Sequence, residues 1–228
     1  MRRDEPPGYL ATIHPFRDRL DAGSRLAGRL GAYAGRDDVL VLGLPRGGIP
    51  VAGVVAEMLA APMDALIIRK LVVPGREEVT VGAVGPGGVT ILDRALMDRL
   101  ALTRGALAPE ICRESREMHR LELAYRGWRA FPELRGRTVV VVDDGVMTGS
   151  TMMAAVAAVR QMGPARVVVA VPIASPEAVR RVSALADEVV TVATPEGFSA
   201  LGQWYDEFAP TTAGEVRRWL APRVPAPA

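Results

Sequence analysis

Apolar residues fall into two rhythms along the chain. Short runs rich in Val, Leu and Ile occur at 39–44, 64–70, 139–142, 166–171 and 188–192. The run Val139-Val140-Val141-Val142 has no alternation at all, which predicts a strand covered on both faces, as in the middle of a parallel sheet. Between the runs, apolar positions recur at helical spacing. The stretch 18–34 places Leu20, Leu26, Leu30 and Tyr33 on one side, and 50–59 opens with Pro50 in a first-turn position. Further helices are predicted at 151–162, 175–185 and 212–220. Strand and helix in alternation predict an α/β fold with a parallel sheet and right-handed crossovers. The alternation is interrupted after the second strand. There, 79–84 and 89–92 suit a hairpin around Gly85-Pro86-Gly87-Gly88, followed by helices at 93–102 and 109–127. The second of these helices is crowded with Arg and Glu and predicts a solvated face.

The chemistry concentrates where the valine strand ends. Asp143 and Asp144 follow it directly, at the strand end where open α/β sheets bind ligands. The loop Gly145-Val146-Met147-Thr148-Gly149-Ser150-Thr151 then offers backbone N–H groups, hydroxyls and a helix N-terminus, a nest suited to a phosphate. Acids for sugar hydroxyls beside amides for a phosphate describe a pocket for a phosphorylated sugar. An acid pair alone would serve equally well as a helix N-cap; the Thr-Gly-Ser-Thr that follows argues for the ligand.

Size and composition narrow the picture. The 228 residues, 49% hydrophobic, suffice for one domain with a substantial core. Aromatics are only 5%, so the core must be built from aliphatic side chains. A formal charge of +2 is too balanced for general nucleic-acid binding, and no apolar run approaches a membrane span. Cys112, the single cysteine, excludes an internal disulfide and fits a reducing, cytoplasmic setting. His14 and His119 lack metal-ligand spacing. Lys70 is the single lysine in an arginine-rich chain.

The run from Val139 to Thr151 resembles the 5-phosphoribosyl-1-pyrophosphate (PRPP) signature of the type I phosphoribosyltransferases. From about Phe16 to Leu220 the chain is similar to a bacterial and archaeal subgroup of that family. The likeness is carried also by Leu44-Pro45-Arg46-Gly47-Gly48, Arg69-Lys70, Gly82-Ala83-Val84, Tyr125-Arg126-Gly127 and Gly202-Gln203-Trp204-Tyr205. The resemblance implies the type I fold: a central, mostly parallel sheet flanked by helices, with an inserted flap and a C-terminal hood. On this reading residues 1–15 are a loose arm and 16–220 the phosphoribosyltransferase domain. The flap covers about 74–130, the hood about 194–220, and 221–228 form a tail. The implied reaction uses PRPP and Mg²⁺, and moves the phosphoribosyl group to or from a small, heterocyclic acceptor with release of pyrophosphate. The implied setting is cytoplasmic, without nucleic-acid or membrane partners; family members commonly form homodimers.

Roles follow position by position. Asp144 would face the ribose hydroxyls, and Asp143 would act less directly, through a magnesium-bound water. Gly145, Met147, Thr148, Gly149, Ser150 and Thr151 would wrap the 5′-phosphate. Arg46, Gly47 and Gly48 would form the pyrophosphate turn, which in the family often contains a cis peptide, and Arg69 and Lys70 would add charge beside it. Arg46, Lys70 and Asp144 are the catalytic candidates; Phe198, Trp204 and Tyr205 are candidates to stack on the acceptor, although aromatics there can equally pack the hood. Glu78, Arg120, Tyr125 and Arg126 are weaker candidates. Met147 departs from the purine-salvage pattern, which carries an aspartate there to handle a proton on the base. That departure favours a rival reading, a non-catalytic sensor of PRPP or a nucleotide; a further rival is a hydrolase that uses the same pocket on a phosphorylated sugar.

Overall fold

The computed structural model describes residues 16–221. The arm expected at 1–15, with His14, and all of the expected tail except Ala221 lie outside these residues. The valine run forms β6 (Thr138–Val142), buried along its whole length. It pairs in parallel with β1 (Val39–Gly43) on one side and β7 (Arg166–Ile173) on the other. With β2 (Met63–Ala65) and β8 (Glu188–Ala193) this gives a five-stranded parallel sheet in the order β2-β1-β6-β7-β8. The pleat sorts the valines. Val140 and Val142 join a cluster with Val51, Val55 and Leu59 of α2 (Gly48–Leu59). Val139 and Val141 join the opposite cluster, with Met152, Val156 and Val159 of α5 (Ser150–Gln161) and Val182 of α6 (Pro176–Ser183). Successive side chains point to opposite faces, so a strand between two helical layers must be apolar at every position.

The first helix is shorter than its apolar spacing predicts. α1 (Arg19–Ala27) is capped by Asp18 and buries Ala22, Gly23, Leu26 and Ala27, while Leu20 is 45% exposed. Leu30 and Tyr33 are buried from a separate loop and 3₁₀ turn. The small residues, rather than Leu20, therefore carry the face that packs on α2, and the Gly28 and Gly31 positions interrupt the helical period.

The predicted second strand, 64–70, is in fact two. β2 stays in the parallel sheet, residues 66–68 leave it, and β3 (Arg69–Val73) opens an antiparallel sheet with β4 (Arg76–Gly85) and β5 (Val89–Leu92). The hairpin pairs Ala83 with Ile91 and Val84 with Thr90. α3 (Arg94–Arg99) and α4 (Arg104–Arg126) follow. α4 begins five residues before Pro109, because Thr103 caps it by accepting the Ala106 N–H at 3.2 Å. This inserted sheet and its helices share a core that includes Leu71, Val81, Val84, Leu107, Met118 and Tyr125. α7 (Ala213–Leu220), the last helix of the described residues, packs on α2 with Trp219 against Gly53 and is opened by a capping box between Thr212 and Glu215. No helix among the described residues is long and apolar enough to cross a membrane.

Candidate active site

β6 ends and the chain turns at Asp143, where two cavities meet. One, of about 270 Å³, is lined by Pro45, Arg46, Arg69, Arg120, Tyr125 and Asp143, among others. The other, of about 230 Å³, is lined by Asp143, the loop Gly145–Met152 and Leu201. Asp143 and Thr151 border both. Two larger grooves, of about 470 and 510 Å³, lie around α7 and include no residue of this loop.

The loop after β6 is fastened from its outer side. Val146 forms a parallel bridge with Ala174, its N–H donating to Ile173 O at 2.9 Å. The carbonyls of Met147 and Thr148 accept from Ser175 Oγ (2.6 Å) and Arg181 Nη1 (2.8 Å). With these acceptors engaged outward, the start of α5 and its partial positive charge face the cavity. Gly149 makes the turn at φ +80°, a conformation that L side chains rarely adopt. Met147 is 42% exposed at the rim.

The turn after β1 lies directly on the acid pair. Pro45–Arg46 is a cis peptide. A Cβ on Gly47 would stand 2.0 Å from Asp144 Oδ2, and one on Gly48 would stand 2.7 Å from Asp143 Cα. Glycine is required at both positions by close approach, and this contact joins two motifs that are almost a hundred residues apart in sequence. Arg46 is exposed, and its guanidinium makes no ion pair or hydrogen bond among the described residues.

The two acids have different surroundings. Asp143 faces both cavities and accepts the Asp144 N–H at 2.9 Å through Oδ1. Burial, then the neighbouring Asp144 charge, holds its carboxyl well above the usual carboxylate range. Asp144 lines neither cavity. Its Oδ2 instead meets Arg19 Nε at 2.8 Å, with both side chains largely buried. The guanidinium holds the second carboxylate away from the cavities, so Asp143 borders both of them and Asp144 borders neither.

Arg69 and Lys70 open β3 rather than closing a parallel strand, and they reach different places. Arg69 lines the cavity beside Arg46, with Nε donating to Glu114 Oε2 of α4 at 2.6 Å. Lys70 Nζ donates to Ser150 Oγ at 2.8 Å, at the loop itself. Of the weaker candidates, Arg120 and Tyr125 line the Arg46 side, together with Glu117 and Leu121, and Arg120 pairs with Glu117 at 2.7 Å. Arg126 is buried and engaged by Asp64, Glu122 and the Ala65 carbonyl, so it fastens α4 to the end of β2. Glu78 is exposed and borders neither cavity.

The aromatic candidates are committed to packing. Tyr205 is buried between Phe16 (5.4 Å between ring centroids) and Phe208 (4.8 Å), and its hydroxyl donates to the Asp144 carbonyl at 2.5 Å. Burial, then the Asp144 charge, pushes that hydroxyl above its ordinary range. Phe198 and Trp204 are half-buried against the same cluster. None of the three lines either cavity; Leu201 does. Arg19, Glu114, Glu117 and Leu201 were not legible as site residues: each is an ordinary helix or loop residue until the chain folds. Only the helical spacing of Glu114, Glu117, Leu121 and Tyr125 hinted that one face of α4 looks the same way.

The family model described as the phosphoribosyl transferase domain matches residues 11–202. Two Mycobacterium tuberculosis proteins are 43% identical over 205 residues: "Putative phosphoribosyl transferase MT0597" of strain CDC 1551 and "Putative phosphoribosyl transferase Rv0571c" of strain H37Rv. The match covers 90% of this chain and 46% of each relative, so the chain spans about half their length. The crystal structure of TT1426 from Thermus thermophilus aligns with a TM-score of 0.83 at 43% identity, covering 90% of this chain and 97% of that one. With the family model spanning most of its length and the acid pair, loop and turn converging on one sheet edge, the chain belongs to the phosphoribosyl transferase family.

Proposed function

We propose that this protein is a phosphoribosyltransferase that binds PRPP across the two cavities and transfers its phosphoribosyl group to a small acceptor. The observation that carries this reading is the meeting of both cavities at Asp143, with the loop of residues 145–151 on one side and Arg46 and Arg69 on the other. The 5′-phosphate occupies the nest of residues 145–151, where Lys70 beside Ser150 adds a positive charge. The ribose lies against Asp143, and the pyrophosphate lies beside Arg46, Gly47, Gly48 and Arg69.

Transfer needs the acceptor nitrogen to donate its lone pair to the anomeric carbon as the bond to pyrophosphate breaks and its electron pair leaves with the pyrophosphate. Arg46 and Arg69 stabilise the charge that grows on the departing group. Asp143 fits a Mg²⁺ ion of the kind held largely by ligand phosphates and waters, since it offers one carboxylate between the two ends of the ligand. When bound, that ion supplies Lewis-acid stabilisation of the pyrophosphate. The segment 69–126 serves as the flap: Glu117, Arg120, Leu121 and Tyr125 of α4 roof the Arg46 side and limit access of water. The acceptor approaches past Met147 and Leu201, neither of which can transfer a proton, so it must bring a nitrogen whose lone pair is already available.

Pyrophosphate release from PRPP and Mg²⁺, measured with and without a panel of heterocyclic bases, tests the reading. Release only in the presence of a base supports transfer. Release without a base makes the protein a hydrolase, and PRPP binding without any release makes it a sensor.

A further inference from the structure

Asp144 is the meeting point of three parts of the chain that are remote in sequence. The Arg46–Gly47–Gly48 turn rests on its carboxylate, with the position a Gly47 Cβ would take only 2.0 Å from Oδ2. Its carbonyl accepts the Tyr205 hydroxyl at 2.5 Å. Its Oδ2 accepts from Nε of Arg19, the first residue of α1, at 2.8 Å. Arg19 is anchored on its other side as well. Nη1 donates to the Ala209 carbonyl at 2.7 Å, and the guanidinium lies 4.0 Å over the Phe208 ring. The segment that carries Arg19 is zipped to the C-terminal stretch by three backbone bonds: Phe16 N to Trp204 O, Asp206 N to Phe16 O, and Glu207 N to Arg17 O. The side chains of Arg19 and Asp144 are 13% and 11% exposed, so the pair is shielded from solvent and held from all sides. Among the described residues no other cation pairs with Asp144.

An exposed ion pair of this length would contribute little. A buried one is poor evidence for stability, because its members could be replaced by apolar residues, yet removing one partner strands the other's charge. The stranded charge here would be a carboxylate next to Asp143 and under the glycine turn. It would repel the ligand-facing acid and leave the turn without a fixed support.

We propose that Arg19 is a positioning residue for PRPP binding: it acts through Asp144, fixing that carboxylate beneath the Arg46–Gly47–Gly48 turn and tying the turn to the 204–209 segment. The proposal rests on the PRPP reading above. It also gives the N-terminal helix and the C-terminal aromatic stretch a shared task, since Phe208 and Ala209 hold Arg19 in the one direction that reaches Asp144.

A double-mutant cycle tests it. PRPP affinity in the presence of Mg²⁺ is measured by calorimetry for the native chain, Arg19→Met, Asp144→Asn and Arg19→Met/Asp144→Asn, with Asp143→Asn alongside. Residues that share one contact show coupling, while independent ones add. We expect each single change at the pair to weaken binding by about tenfold, and the double variant to be no weaker than the poorer single one. Arg19→Lys keeps the charge but not the planar fork, and it should recover part of the affinity lost in Arg19→Met. That variant also serves if Arg19→Met does not fold. Losses that multiply in the double variant, or an Arg19→Lys chain as weak as Arg19→Met, would show that Arg19 acts through general stability and would overturn the proposal. Native affinity in Asp144→Asn with loss in Asp143→Asn would overturn it too, while leaving the PRPP reading intact. Native affinity in Asp143→Asn as well would sink that reading itself.

Discussion

At the scale of single residues, Asp143 carries a conflict between folding and binding. Its carboxyl is raised above 3.8 by burial and by Asp144. A raised folded-state pKa means that its contribution to stability is complete below the unfolded value and is lost as pH rises through the folded one. Asp143→Asn should therefore raise the melting temperature of the ligand-free protein at neutral pH. The gain should be absent at acid pH and grow as pH increases, while PRPP binding is lost. Calorimetric scans at several pH values check this, and a lower melting temperature at neutral pH would contradict it. Gly48 is constrained from the other side. A Cβ there would stand 2.7 Å from Asp143 Cα and 2.8 Å from the Val142 carbonyl, both backbone atoms that have little room to move. Gly48→Ala should cost about 1–3 kcal/mol in urea unfolding and weaken PRPP binding, and unchanged values of both would refute the close approach. The acid pair, the loop and this turn were legible in the sequence because each combines residue types that ordinary packing seldom needs side by side. The direction of Asp144 was not, since its carboxylate is engaged by Arg19, which approaches from a helix more than a hundred residues away.

At the scale of elements, α4 matters most. Glu114 reaches from it to Arg69 on β3, while Arg126 holds its far end to β2. Glu114 is almost fully buried, and the Arg69 side chain is 37% exposed. The pair leaves the terminal guanidinium nitrogens of Arg69 available to a ligand while fixing Nε. Glu114→Gln should cost about 1 kcal/mol of stability, after discounting for the exposed arginine, and should weaken PRPP more than ribose 5-phosphate. Parallel titrations of the two ligands decide; equal losses would remove Arg69 from the pyrophosphate side. The hairpin of β4 and β5 was legible from its glycine-rich turn and β-branched flanks. The break at 66–68 was not. Apolar residues continue through it, because both the parallel sheet and the inserted sheet bury them, and hydropathy does not reveal which sheet a residue joins. The helix at 18–34 was overextended for a related reason: Leu30 and Tyr33 are buried, but from outside the helix.

At the scale of the whole molecule, the fold places one sheet edge at the junction of an ordered insertion, a phosphate nest and a C-terminal segment that packs on the N-terminal helix. The layered architecture was readable because the valines of β6 admit no solvent-facing side. The partnership of residues 16–19 with 204–209 depends on tertiary contact between segments far apart in sequence and leaves no periodic trace. The aromatic residues of that segment were candidates for ligand stacking because the family resemblance places a hood over the acceptor there; in the structure Tyr205 holds the Asp144 carbonyl and Phe208 lies under Arg19, with Phe198 and Trp204 packed in the same cluster. The measurement that bears most directly on the whole reading is calorimetric titration of the protein with PRPP in the presence and absence of Mg²⁺. We predict one PRPP bound per chain, tighter with Mg²⁺ and competed by ribose 5-phosphate and by pyrophosphate, each alone occupying part of the site. Absence of PRPP binding, or binding that neither half of the ligand displaces, would contradict a pocket divided at Asp143.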